Sequence, residues 1–280
     1  MKNSFKKLLC RSLRLCALCV LIAAPATAQE LPKPGEKGVV RFAESPPQSA
    51  IADQIKFRLS ASEDPGEYDV TKEEFEVLVP ANYDEDTPHG LFIWIGAGGP
   101  GIPKEWEAVL AEKDIILIAA RNSGNKRDIF DRVRMAIDAN INMRSLYNID
   151  GRRVYVSGHS GGSRVASMLG VCWGDMFSGA LCFMGVNFYT DLAAEDGKTY
   201  GLSYLPNEEI LALSKKFCRY ALVTAEKDFN LPNTRAAFTA GFQKEGFEAV
   251  EIFEVPEHGH GIPPAKWLCD ALDFLDKDKR

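Results

Sequence analysis

The chain has 280 residues, of which 46% are apolar and 26% charged, and a formal net charge of −6. This is globular composition, and it excludes a disordered, collagen-like or low-complexity chain. The length suits one large α/β domain, and no apolar run reaches the roughly 18–20 residues a spanning helix needs, which excludes a multi-pass membrane protein.

Residues 1–28 read as a leader outside the fold. Lys2, Lys6, Lys7, Arg11 and Arg14 form a basic stretch without an acidic residue, Leu15 to Ala24 is apolar, and Pro25-Ala26-Thr27-Ala28 offers an Ala-x-Ala cleavage site. That order is the order of a secretory signal peptide, so a periplasmic or extracellular protein is expected; an uncleaved anchor is disfavoured by the short apolar stretch and by Pro25. Loss of the leader takes the net charge from −6 to −11 and leaves no Lys/Arg-rich run. Counterion release needs a basic surface, so no nucleic-acid partner is expected, and no membrane span in the mature chain. Four of the seven cysteines remain: Cys172, Cys182, Cys218 and Cys269. Export permits free thiols or any of three full disulfide pairings. No Cys-x-x-Cys or Cys/His pair has zinc spacing, and neither a metal nor another cofactor is expected.

The mature chain alternates strands and helices. Residues 30–50, with several prolines and glycines, read as a loose N-terminal arm, and the segment 29–69 as that arm plus a first strand region. The main α/β domain spans 70–280. Phe75 to Val79 alternates as a half-buried strand and stops at Pro80. Leu91-Phe92-Ile93-Trp94-Ile95 is a strand covered on both faces, ending in the loop Gly96 to Gly101. Pro103 to Lys113 reads as a helix, with Trp106 in the core. Ile115 to Ala120 is a strand and Arg127 to Tyr147 a long helix. Val154 to Val156 is a strand running into Ser157 to Gly162, with a helix behind it. Strands follow at Gly179 to Val186, Tyr220 to Thr224 and Val250 to Val255. Pro232 to Lys244 and Pro263 to Leu275 read as helices. Strands separated by helices predict an α/β fold with a mostly parallel sheet covered on both faces.

The chemistry centres on Ser160. Gly158-x-Ser160-x-Gly162, directly after a β-branched strand and directly before an apolar-faced helix, fits a nucleophile elbow, in which small neighbours let a strained turn expose the serine oxygen. A serine needs a base. Of the four histidines, His89 precedes the first buried strand, remote from the strand C-termini, and reads as a surface residue. His159 lies inside the elbow and points away from the serine. His258 and His260 lie in the loop after the last strand; His260, between two glycines, is the choice, and His258 is a loop residue or a substrate contact. The acid should follow a strand between them, which selects Asp228, ahead of Glu226 and Asp191. Oxyanion donors are expected from the N–H of Gly161 and from the loop after the first buried strand, at Gly98, with Ala97 second. That loop lacks the Gly-Lys-Ser/Thr and Gly-x-Gly-x-x-Gly patterns, so nucleotide binding is rejected.

Leu78-Val79-Pro80-Ala81-Asn82-Tyr83, the Gly-rich loop, Ile149 to Gly162, Asp228 and Gly259-His260-Gly261 together resemble the α/β-hydrolase superfamily. Within it the chain is similar to secreted esterases of the polyhydroxybutyrate-depolymerase and feruloyl-esterase type. The resemblance covers roughly residues 70–280. It implies a sheet of about eight strands, with Ser160, Asp228 and His260 as a catalytic triad, and small-molecule or polysaccharide-linked esters as substrates. The chain departs from the family pattern at Gly96-Ala97, where His-Gly is usual.

Residues 187–207 form a long stretch at the edge where the site belongs. Its aromatics, Phe188, Tyr189, Tyr200 and Tyr204, either wall a binding site, with Phe188 and Tyr189 touching substrate, or pack against one another. Phe229, beside Asp228, is a further candidate contact. The expectation is a serine hydrolase of carboxylic esters. A serine peptidase of the same fold is the alternative, although 252 mature residues leave no room for a large propeller domain. A non-catalytic binding protein that kept the fold is the third reading, supported only by the altered loop.

Overall fold

The computed structural model describes residues 31–277 and residue 279. The leader expected over 1–28 lies outside them. Strand β1 (Lys37–Val40) opens the fold, followed by helices α1 (Pro47–Ala50) and α2 (Ala52–Leu59). Then come β2 (Phe75–Leu78), β3 (His89–Ile95), α3 (Lys104–Glu112), β4 (Ile115–Ala120), α4 (Ile129–Leu146), β5 (Ile149–His159), α5 (Gly161–Cys172) and β6 (Gly179–Phe183). A hairpin of β7 (Leu192–Ala193) and β8 (Thr199–Tyr200) precedes α6 (Glu208–Phe217), β9 (Arg219–Ala225), α7 (Leu231–Ala236), β10 (Ala249–Val255) and α8 (Ala265–Asp276).

Eight strands form one sheet in the order β1-β2-β4-β3-β5-β6-β9-β10. From β4 to β10 every neighbouring pair is parallel; β2 alone runs against its neighbours β1 and β4. The pattern of β3 explains the two covered faces. Leu91, Ile93 and Ile95 pack on one side with Val133 and Ile137 of α4 and Val165 and Leu169 of α5. Phe92 and Trp94 pack on the other with Trp106 and Leu110 of α3 and Leu268 and Leu272 of α8. Each such fully buried aliphatic or aromatic side chain contributes roughly 1.5–3 kcal/mol. Trp106 is a core residue, as expected, and its indole N–H donates to the Pro263 carbonyl at 3.0 Å.

Helix starts follow local chemistry. Asp128 accepts from the N–H of Phe130 at the start of α4. Asn207 accepts from Glu209 and Ile210 at the start of α6, whose first turn holds Glu208 and Glu209 and whose last turn holds Lys215 and Lys216, as the helix dipole favours.

Three expectations are corrected. Residues 31–50 do not form a loose arm: the first strand region expected within 29–69 includes β1, which extends the sheet, and Val40, Phe42, Ile55 and Leu59 are buried against it because the apolar edge of β2 needs covering. The helix expected over 232–244 is α7 followed by a π-helical turn, Ala237–Gln243. His89 is buried, not on the surface, with Nδ1 donating to the Thr87 carbonyl at 2.9 Å and its ring 4.9 Å from that of Tyr83. It does sit at the first position of β3, at the opposite sheet edge from the strand C-termini.

Cys172, Cys182 and Cys218 are buried and Cys269 half-buried, all four as free thiols, so none of the three pairings is formed among the described residues. Among those residues no helix is long and apolar enough to cross a membrane.

Candidate active site

β5 runs directly into Ser160, whose backbone sits at φ 55° and ψ −118°, a strained turn between strand and helix. Close approach demands the following glycine: a Cβ at Gly162 would lie 1.7 Å from the Ile95 carbonyl oxygen at the end of β3. The Ser160 N–H donates to the Phe183 carbonyl at 2.8 Å, which pins the turn to the end of β6.

The loop after β10 brings His260 to this turn. Ser160 Oγ donates to His260 Nε2 at 2.8 Å, and His260 Nδ1 donates to Asp228 Oδ1 at 2.7 Å. The Asp228 carboxylate is fully buried and also accepts the Asn230 N–H at 3.0 Å and the Thr224 hydroxyl at 3.2 Å. A carboxylate only accepts, so it fixes the proton on Nδ1 and leaves the Nε2 lone pair for the serine. The three residues selected from the sequence are therefore joined in one hydrogen-bonded chain.

Residues that the sequence did not single out brace that chain. Asn230 Nδ2 donates to the Met184 carbonyl at 2.7 Å, and its Oδ1 accepts from Arg164 Nη2 at 3.0 Å. Arg164 Nη1 reaches the Val186 carbonyl and Asn187 Oδ1, so one guanidinium joins the loops after β6 and β9. Burial pulls its pKa below the usual arginine value. An Asp-x-Asn pattern after a strand was the available signal for Asn230, because such side chains close local turns; nothing local marks Arg164 or Thr224. His159 Nε2 donates to the His260 carbonyl at 2.7 Å, and burial lowers its pKa, keeping the ring neutral at pH 7.

The other candidates separate clearly. Phe229 is 72% exposed and stacks on the His260 ring with centroids 4.0 Å apart. His258 bonds the Gly261 carbonyl at 3.2 Å through Nε2, whereas His260 holds the serine. Glu226 accepts the Glu257 N–H at 2.8 Å on the surface, and Asp191 accepts the Leu202 N–H at 2.9 Å. Phe188 and Tyr189 are corrected: they do not wall an open site. Phe188 is 1% exposed, with its ring against Phe242, and Tyr189 stacks on Phe188 and donates to Glu245. The stretch 187–207 packs its own aromatics into the core, because Phe242 and Phe247 offer them an apolar bed.

Gly161 is the first residue of α5, so its N–H has no intrahelical acceptor. Gly98 is exposed in the loop after β3, and the Ala97 carbonyl accepts the Asn125 N–H at 2.9 Å. Among the described residues no cluster of three or more His, Cys, Asp or Glu side chains is arranged to hold a metal ion.

No family model matches the chain, and no curated protein sequence matches it. Solved structures do. Thermogutta terrifontis esterase 2, in a form phosphorylated by paraoxon, aligns with a TM-score of 0.52 at 15% identity, covering 76% of this chain and 90% of that one. A thermostable esterase aligns at 0.51 and 14% identity over 73% of this chain and 59% of that one. Porphyromonas gingivalis dipeptidyl peptidase 4 aligns at 0.51 and 13% identity over 79% of this chain and 34% of that one. The chain spans about a third of the length of the peptidases it matches. Identities this low speak for architecture alone, and with the strand order above they show that the chain has the α/β-hydrolase fold.

Proposed function

We propose that the protein is an exported serine hydrolase that cleaves carboxylic esters through an acyl-enzyme on Ser160. The observation that carries this reading is the Ser160–His260–Asp228 chain, with hydrogen bonds of 2.8 and 2.7 Å. Ser160 Oγ attacks the ester carbonyl carbon as its proton passes to His260 Nε2, and Asp228 stabilises the imidazolium that forms. The carbonyl electron pair moves to oxygen, which accepts the N–H groups of Gly161 and of Gly98 or Ala97. Collapse restores the carbonyl, and the alcohol leaves with the proton from His260. Water then gives a proton to Nε2 and attacks the acyl carbon; Ser160 Oγ departs with that proton, and the carboxylic acid is released.

Phe229 offers an apolar flank beside His260, where the leaving alcohol is protonated. That edge is open to solvent, which suits esters of small molecules or of polysaccharide-linked alcohols, of the kind that depolymerases and feruloyl esterases cleave. The peptidases of this fold supply the second reading, an amide substrate.

Purified mature protein assayed on p-nitrophenyl acetate, a feruloyl ester and dipeptide p-nitroanilides separates the two. Ester turnover that is lost in Ser160→Ala is expected; cleavage of the anilides without ester turnover would overturn the ester reading. Export is tested by the mass of the protein recovered outside the cytoplasm, which should begin at Gln29. Recovery only of intact chain from the cytoplasm would contradict it.

A further inference from the structure

The loop after β4, residues 121–125, reaches the Ser160 turn. Asn125 ties it to the loop after β3 by donating its N–H to the Ala97 carbonyl at 2.9 Å. Its side-chain amide lies against Gly161: a Cβ there would sit 2.1 Å from Asn125 Oδ1 and 3.0 Å from Nδ2. Gly161 is helical and has no positive φ, so the turn itself does not call for glycine at this position. Any side chain at 161 would have to displace the Asn125 amide. The two neighbours of Asn125, Ala97 and Gly161, belong to the two segments from which the oxyanion donors come.

Arg132, buried in the first turn of α4, stands behind the amide. Its Nε donates to the Ser123 carbonyl at 2.7 Å, and its Nη2 lies 3.5 Å from Asn125 Oδ1, a long contact. Ser123 Oγ in turn donates to the Ala120 carbonyl at 3.0 Å. Both Arg132 contacts are to uncharged oxygens. The guanidinium therefore draws the amide oxygen towards itself and leaves Nδ2 as the donor end, and a donor polarised from behind by a cation is a stronger one. Asn125 itself is exposed, so an entering ester can reach it.

We propose that Asn125 is a third oxyanion donor, whose Nδ2–H binds the carbonyl oxygen of the ester as that oxygen becomes anionic, with Arg132 as the positioning residue that holds the amide. This rests on the hydrolase reading of Ser160.

The test uses the mature chain with Asn125→Ala, Asn125→Asp and Arg132→Lys. The readouts are p-nitrophenyl acetate turnover, inhibition by an arylboronic acid that forms a tetrahedral adduct on serine, and thermal unfolding. Asn125→Ala should lower kcat about 100-fold with little change in KM, and weaken the boronic acid in proportion, as loss of one oxyanion donor does. Asn125→Asp, isosteric but acceptor-only, should be at least as slow, and it decides the matter if the alanine variant unfolds. Arg132→Lys should cost less, and its effect should shrink when Asn125 is already alanine. Unchanged or faster turnover in Asn125→Ala, or a kcat loss without weaker boronic acid binding, would overturn the proposal. Wild-type protein that neither turns over the ester nor binds the boronic acid would overturn the hydrolase reading, and this inference with it.

Discussion

His159 Nε2 donates to the main-chain carbonyl of His260 at 2.7 Å, with the two rings 5.1 Å apart. The residue inside the serine turn thus holds the backbone of the residue that accepts the serine proton. The turn that carries Ser160 and the loop that carries His260 are thus tied to each other. One such hydrogen bond is worth about 1 kcal/mol. His159→Phe, which keeps a ring and removes the donor, should lower kcat by about three- to tenfold. His159→Gln, which keeps a donor, should recover most of it. Equal kcat in all three proteins would contradict this role.

Asp228 is buried with three donors on its two oxygens: His260 Nδ1, the Asn230 N–H and the Thr224 hydroxyl. Asp228→Asn keeps the shape but no longer forces the proton onto Nδ1. It should lower kcat by about 10³- to 10⁴-fold while the protein remains folded. Ester kinetics and a thermal melt check both halves. Turnover within tenfold of wild type would mean that the carboxylate does not set the tautomer.

Ser160, Asp228 and His260 were legible because each lies within a few residues after a strand that reads as one, and the serine also carries glycines at fixed offsets. Seven of the sheet strands were legible for the same reason. β1 was expected only as an unplaced first strand region within 29–69: Lys37–Val40 is four residues among prolines and glycines, and the edge of β2 is what fixes it as a strand. The direction of Phe188 and Tyr189 was not legible either, since an aromatic pair is equally suited to a wall or a core until Phe242 and Phe247 are brought beside it. Asn125 hides in Asn122-Ser123-Gly124-Asn125, which reads as an ordinary turn. Its placement against Gly161 depends on a loop and a helix start 36 positions apart in the chain meeting at one point.

Beneath the site, Arg153 of β5 makes a bidentate pair with Asp276 of α8 at 2.9 and 2.8 Å, and Tyr155 donates to the same carboxylate. Both charged side chains are about 5% exposed. Arg153→Met removes the bidentate partner of a buried carboxylate and should destabilise the fold by about 3–5 kcal/mol in urea unfolding. A loss under 1 kcal/mol would show that the pair is solvated.

Asp138 of α4 is buried among the hydroxyls of Ser45, Ser49 and Tyr68, with Arg134 nearby. Burial raises its pKa to about 6, against an opposing pull from the hydroxyls and Arg134. A raised folded-state pKa means that the folded protein holds the proton more tightly than the unfolded chain. The stabilisation is full below about pH 4 and is lost as pH rises through about 6, a change of about 3 kcal/mol. Asp138→Asn lacks this term, so its stability relative to wild type should rise between pH 4.5 and pH 7. Urea unfolding at both pH values checks it; a difference that does not vary with pH would contradict it.

The proposed mechanism depends on Ser160 being an activated nucleophile. The most direct measurement is reaction of the purified mature protein with a fluorophosphonate, followed by peptide mass spectrometry. Rapid, stoichiometric modification of Ser160 is expected, slowed by orders of magnitude in His260→Ala. A folded protein that takes up no label, or takes it up at another residue, would contradict it.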